Sequence, residues 1–126
     1  SLDDMREGLT ALPPGKTTAD KYYVGYFDSG GLAAVLDLIL GYPQEGTALI
    51  GFFMVDAARQ GTGLGSRLVS EAAACLRAAG LSRLRLGVDR GNPQSFAFWT
   101  KNGFAQVDEG HYIVMERDIQ TARRGI

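Results

Sequence analysis

The sequence is poor in the residues that build metal and disulfide sites. It holds one cysteine, Cys75, and one histidine, His111. A lone cysteine excludes an internal disulfide and any site made from several thiolates, so no metal is expected. Cys75 sits among residues of helical spacing and reads as a small core hydrophobe. His111 stands beside a turn and reads as a solvated loop residue. Charge of one sign is also lacking, with 13 basic and 14 acidic side chains and a formal net charge of −1. That balance leaves no electrostatic footprint for nucleic acid. No run approaches the roughly 20 apolar residues of a membrane span, and the first residues lack the basic-then-apolar layout of a secretory leader. The expectation is a cytoplasmic protein with neither nucleic acid nor membrane as partner.

Glycine is plentiful, with 17 in 126 residues. A chain of this length can bury a core without staples, and one domain over 1–126 is expected. LDDMREGLTA (2–11) predicts a short helix with acids at its start, stopped by Pro13-Pro14-Gly15. KYYVGYFD (21–28) alternates and predicts a strand, and Ser29-Gly30-Gly31 a hairpin turn into LAAVLDLIL (32–40). ALIGFFMV (48–55) is apolar at every position, as in a central strand covered on both faces. LGSRLVSEAAACLRAAG (64–80) predicts a helix with Leu64, Leu68, Ala72, Cys75, Leu76 and Ala79 inward and Gly80 as its left-handed stop. RLRLGV (83–88) predicts a strand with Leu84, Leu86 and Val88 on one face. Asn92-Pro93 opens a helix that stops at Gly103. FAQVD (104–108) and HYIVMERD (111–118) close the chain as strands. The fold class is therefore α/β, with a mixed, mostly antiparallel sheet and one parallel β-α-β crossover.

RQGTGLGSRL (59–68) places three glycines where a central strand meets a helix. A helix N-terminus has N–H groups without intrahelical partners, and glycines let an anion reach them. A phosphate cradle and a plain capping turn both fit this pattern. A Walker loop is excluded because no Gly-Lys pair follows. A dinucleotide fingerprint is disfavoured because the third glycine is misplaced and the strands before the turn are hairpins.

Gln60-Gly61-Thr62-Gly63-Leu64-Gly65 resembles the phosphate loop Arg/Gln-x-x-Gly-x-Gly/Ala of the GNAT superfamily of CoA-dependent N-acetyltransferases. Asn92, with Phe98-Trp99-Thr100-Lys101-Asn102-Gly103-Phe104, resembles that family's second element, and the likeness runs over about 20–118. The resemblance implies a GNAT-like fold and transfer of an acetyl group from acetyl-CoA to a primary amine of a small molecule or peptide, by direct attack in a ternary complex. It implies that Gly61 to Gly65, with Gln60 and Ser66 at the edges, hold the CoA pyrophosphate. The pantetheine arm would lie along Phe53, Met54 and Val55, with an N–H near Met54 as oxyanion donor, and Asn92 would bond the pantetheine amides. Asp37 and Glu45 are the candidate bases, each with a bland alternative as an edge or loop charge. Asp56 and Asp89 are expected to cap or pair at strand ends. Trp99 stands where many members carry a tyrosine acid, and is expected to pack against the pantetheine end. Little of the family's N-terminal strand and helices has a counterpart before Tyr22. That implies a fragment, or a compact variant whose partner subunit completes the acceptor wall, with an open edge near 22–28 favouring a homodimer. A non-catalytic acyl-CoA-binding module is the alternative reading.

Overall fold

The computed structural model describes residues 5–6 and 21–120. Seven strands form one sheet: β1 (Met5–Arg6), β2 (Lys21–Asp28), β3 (Gly31–Leu40), β4 (Thr47–Val55), β5 (Arg83–Asp89), β6 (Ala105–Glu109) and β7 (Tyr112–Asp118). Their order across the sheet is β1-β2-β3-β4-β5-β7-β6. Only β4 and β5 pair in parallel; every other pairing is antiparallel. Helix α1 (Leu64–Ala78) joins β4 to β5, and α2 (Pro93–Lys101) joins β5 to β6.

Both helices end as their sequences dictate. After α1, Gly80 has φ +98, and the N–H groups of Gly80 and Leu81 donate to the carbonyls of Arg77 and Leu76. After α2, Gly103 has φ +93, and the N–H groups of Gly103 and Phe104 donate to the carbonyls of Thr100 and Trp99. These are two Schellman stops, in which glycine adopts the left-handed turn without a Cβ penalty. In the second, the buried Phe104 ring meets Trp99 edge-on at 5.1 Å, which supplies the apolar contact that usually accompanies the motif.

Both helices cover the same face of the sheet. The core joins Leu36 and Leu38 of β3, Ala48 and Ile50 of β4, Leu84, Leu86 and Val88 of β5 and Met115 of β7 with Val69, Ala73 and Leu76 of α1 and Trp99 of α2. A β-bulge re-aims β4 midway: Asp37 pairs with Phe52 but Leu38 pairs with Ile50, leaving Gly51 as the extra residue. Because side chains alternate along a strand, the bulge moves the inward set from Ala48 and Ile50 to Phe53 and Val55.

Four expectations need correction. Met5 and Arg6 are not helical but extended, opposite Val24 and Tyr23; the rest of 2–11 and Pro13-Pro14-Gly15 lie outside the described residues. Strand β2 is thus not an open edge at Tyr23 and Val24, which already have a neighbouring strand; among the described residues, Gly25–Asp28 have none on that side. Strand β4 is not covered on both faces, since Phe52 and Met54 are 44% and 53% exposed on the side away from the helices. Finally, the fully buried stripe of α1 is Val69, Ala73 and Leu76. Of the stripe expected from sequence, Leu76 is buried as expected, whereas Leu64, Leu68, Ala72 and Cys75 lie on a half-buried flank and Ala79 is exposed.

Candidate active site

The parallel pairing of β4 with β5 runs from Thr47 and Arg83 to Ile50 and Leu86 and then stops. Beyond it, β5 keeps its partner β7, and Gly51–Val55 of β4 have no strand on that side among the described residues. Which backbone groups face the opening follows from the antiparallel ladder with β3. The Asp56 N–H donates to Ala33 at 2.8 Å, which makes this a hydrogen-bonded pair, and such pairs alternate along the strand. Val35–Met54 and Asp37–Phe52 are then hydrogen-bonded pairs too. The N–H and C=O groups of Phe53 and Val55 point instead into the split. The expected oxyanion donor near Met54 is therefore corrected: the Met54 amide is spent on β3, and Phe53 and Val55 carry the free donors.

The split opens onto the glycine turn. Asp56 caps a single 3-10 turn (Ala57–Arg59) by accepting from the Ala58 N–H at 3.2 Å. Gln60 then donates its side-chain amide to the Val55 carbonyl at 2.9 Å, tying the loop to the strand end. Gly61 and Gly63 have φ +80 and +87, and a Cβ at either would meet nothing within 4 Å. Their job is the left-handed backbone and an open approach. Gly65 differs: a Cβ there would come within 3.3 Å of the Phe98 ring and 3.6 Å of Val55, so this glycine lets α1 press against α2 and β4. Helix α1 begins after Gly63, which has no side chain to cap it; the Leu64 N–H donates to the Thr62 hydroxyl at 3.4 Å, and the N–H groups of Gly65 and Ser66 remain without an intrahelical partner. By contrast, α2 is capped, with the Asn92 Oδ1 accepting from the Ser95 N–H at 3.0 Å.

These parts enclose a cleft of about 440 Å³. Of the residues singled out from sequence, Phe53, Val55, Gln60, Gly61, Gly63, Gly65, Ser66, Asn92 and Trp99 line it. Thr62 instead donates its hydroxyl to the Arg59 carbonyl at 2.6 Å, and Leu64 and the exposed Met54 side chain are not part of the wall. The cap uses only the carbonyl oxygen of Asn92, so its amide nitrogen stays available to a ligand. Trp99 is 7% exposed and packs against Phe53, Phe98 and Phe104 with centroids 5.6, 4.9 and 5.1 Å away. Gln94, Ser95, Phe98 and Lys101 also line the cleft. The helical spacing of 92, 95 and 98 placed Ser95 and Phe98 on the face of Asn92, and that signal was in the sequence.

The loop is held from outside by an ion cluster that sequence reasoning missed. Arg59 grips both carboxylate oxygens of Asp28, at 2.8 and 2.6 Å, and Asp56 at 2.8 Å. Its own pKa is raised by these partners. The Arg59 hydrogen bonds, helped by the Gly30 N–H, hold the Asp28 carboxyl at about 2, below the usual 3.8. Arg59 thus fastens the β2–β3 hairpin to the turn and leaves no free charge for a phosphate. Arg67, one turn into α1, lies over the Tyr26 ring and bonds its hydroxyl. Among the described residues lining the cleft, Lys101 is the one cationic side chain.

The structure brings neither candidate base to the cleft. Asp37 is not an edge-facing surface acid but a buried one, paired with Lys21 at 2.8 Å. Its second oxygen, Oδ1, has no partner among the described residues. Glu45 is exposed in the turn before β4, on the order of 25 Å of strand from Phe53. Asp89 accepts from the Gly91 N–H at 2.9 Å, a strand-end turn as expected. His111 is exposed. Among the described residues no cluster of metal-binding side chains forms, and no helix is long and apolar enough to cross a membrane.

The strand split and the glycine turn both lie within residues 4–104, which match the acetyltransferase (GNAT) family model. The chain belongs to the GNAT acetyltransferase family. It is 35% identical over 109 residues to a mycothiol acetyltransferase from Beutenbergia cavernae, covering 85% of this chain and 35% of that protein. The GNAT chain thus spans about a third of that relative. Among solved structures, an acetyltransferase from Thermus thermophilus superposes with a TM-score of 0.73 at 29% identity, over 79% of this chain and 64% of that one. The PaiA N-acetyltransferase of Thermoplasma acidophilum, solved in complex with coenzyme A, superposes with a TM-score of 0.70 at 25% identity, over 79% and 61%. The GNAT-like mixed sheet expected from sequence is the observed fold.

Proposed function

We propose that this chain transfers an acetyl group from acetyl-CoA to a primary amine of a small molecule or peptide. The observation that carries the reading is the continuity of two sets of unspent N–H groups, those of Phe53 and Val55 in the strand split and those at the uncapped start of α1. An extended amide-bearing arm that ends in a pyrophosphate matches both. The glycine turn would take the pyrophosphate, which the partial positive charge of the helix end favours. The pantetheine amides would pair with Phe53, Val55 and the Asn92 amide. The amine attacks the thioester carbon, the developing oxyanion is met by a Phe53 or Val55 N–H, and the sulfur leaves as thiolate.

Two protons must be accounted for. An alkylamine with a pKa near 10.4 is protonated at neutral pH and must lose a proton before it attacks. Among the described residues no carboxylate lines the cleft, and a water chain from the cleft mouth is the proposed route for that proton. The nitrogen sheds a second proton as the amide forms, and the thiolate, with a pKa of about 8.5, takes up one proton through water without a dedicated acid; the indole of Trp99 supplies none. That the described lining holds no acid favours a second reading, a binding module for acyl-CoA that performs no transfer. One experiment separates them: incubation with acetyl-CoA and a broad amine panel, read by release of free thiol. Amine-dependent release above the hydrolysis background is expected. Tight acetyl-CoA binding without release on any amine would support the binding module.

A further inference from the structure

Behind β4 lies a second space. A cavity of about 340 Å³ opens between the flank of α1 and the helix-side face of β2–β4. Its walls are mainly apolar: Val24, Leu36 and Ala34 from the sheet face Leu68, Ala72 and Cys75 from the helix, with Tyr26 and Glu71 also on the lining. These last three form the apolar stripe that the core leaves half-buried, because Val69, Ala73 and Leu76 take the inward positions. Small side chains at 72 and 75 leave the space unfilled where larger ones would close it. Its size is that of a small-molecule pocket.

One side chain borders both this cavity and the cleft, namely Phe53. Its ring lies 6.0 Å from Phe98 and 5.6 Å from Trp99 on the cleft side, and its back forms the cavity wall. Its backbone N–H is one of the two donors that face the split. The group bonded to the thioester carbon would therefore lie beside this ring, with an apolar void on the ring's far side.

We propose that Phe53 sets the length of the acyl group accepted, and that the cavity beside α1 is the acyl space its ring withholds. This rests on the acyl-CoA reading of the cleft. An acetyl group ends before the ring, whereas a linear butyryl or hexanoyl chain must pass through the ring's position to reach apolar surroundings. Shortening the side chain joins the two spaces, and the lining then favours methylenes over water.

The test uses the full chain with acetyl-, butyryl- and hexanoyl-CoA, measuring binding by calorimetry and transfer by thiol release. Wild type is expected to prefer acetyl-CoA. Phe53→Ala should move the butyryl-to-acetyl ratio by roughly tenfold or more in favour of butyryl. Phe53→Leu, a milder truncation, should move it part of the way, and serves if the alanine variant fails to fold. Adding Ala72→Leu fills the cavity from the helix side without touching the cleft, and should return the preference to acetyl. An unchanged acyl ratio in Phe53→Leu, with acetyl-CoA binding intact, overturns this proposal alone. So does a shift that Ala72→Leu fails to reverse, since the chain would then lie elsewhere. Failure of wild type to bind any acyl-CoA overturns the reading of the cleft together with this inference.

Discussion

Arg59 shows how a single side chain can serve a binding loop without touching the ligand. Tied to Asp28 and Asp56, it holds the β2–β3 hairpin against the turn that precedes α1. The Asp28 carboxyl, with its folded pKa of about 2 below the ordinary 3.8, fixes the sign of the pH dependence. Its contribution to stability is complete above pH 3.8 and is lost as the pH falls through about 2. Comparing the urea midpoints of wild type and Asp28→Asn should therefore show a gap at about pH 6 that closes toward about pH 2; a gap independent of pH would contradict the ion pair. The buried pair of Lys21 and Asp37 makes a different demand. Removing one partner strands the other charge and should cost about 3–5 kcal/mol, whereas replacing both with apolar residues should cost far less. Urea unfolding of Lys21→Met beside Lys21→Met/Asp37→Leu measures this, and a double variant no more stable than the single one would count against the pairing. Neither cluster was legible in the sequence. Asp37 stood out as a charge in an apolar strand, but its partner lies on the neighbouring strand, and that pairing depends on register. The glycines were only partly legible: Gly61 and Gly63 serve backbone conformation while Gly65 serves helix packing, and spacing alone does not separate them.

At the scale of elements, the sequence disclosed strand and helix types wherever periodicity or caps were strong. Strand β2 runs over the expected residues, and Gly80 and Gly103 stop the two helices as predicted. What periodicity could not reveal was orientation. The bulge at Gly51 turns Phe53 and Val55 inward, and the ladder decides that Phe53 rather than Met54 presents a free N–H. Both depend on pairing between residues distant in sequence, as does the rotation of α1 that leaves Leu68, Ala72 and Cys75 over a cavity. Trp99 gives a prediction at this scale, because α2 holds it in an aromatic cluster beside the cleft. Trp99→Tyr would place a hydroxyl where the wild type has only ring carbons and an indole N–H. The pH profile of transfer should then gain a new alkaline limb near a pKa of about 10. An unchanged profile would mean that protonation of the leaving sulfur never involved this position.

Across the whole molecule, the two faces of the sheet are unequal. Helices α1 and α2 cover one face and build the cleft between them; the other exposes Phe27, Leu32, Phe52 and Met54, 44–66% accessible, along β2–β4. Apolar groups in such a row favour contact with further protein. A dilution series in sedimentation should therefore show Phe27→Ser/Met54→Ser associating more weakly than wild type, and equal behaviour of the two proteins would contradict that role. The glycine turn at the head of α1 is the proposed seat of the CoA pyrophosphate, and binding of acetyl-CoA to wild type and Gly63→Val measures whether it is. Gly63 has φ +87 and open space before it, so a valine there both strains the turn and obstructs the approach. Saturable binding by wild type is expected, with at least a tenfold loss, roughly 1.4 kcal/mol, in a folded Gly63→Val. Equal affinity in the two proteins, or no binding by wild type, would contradict it.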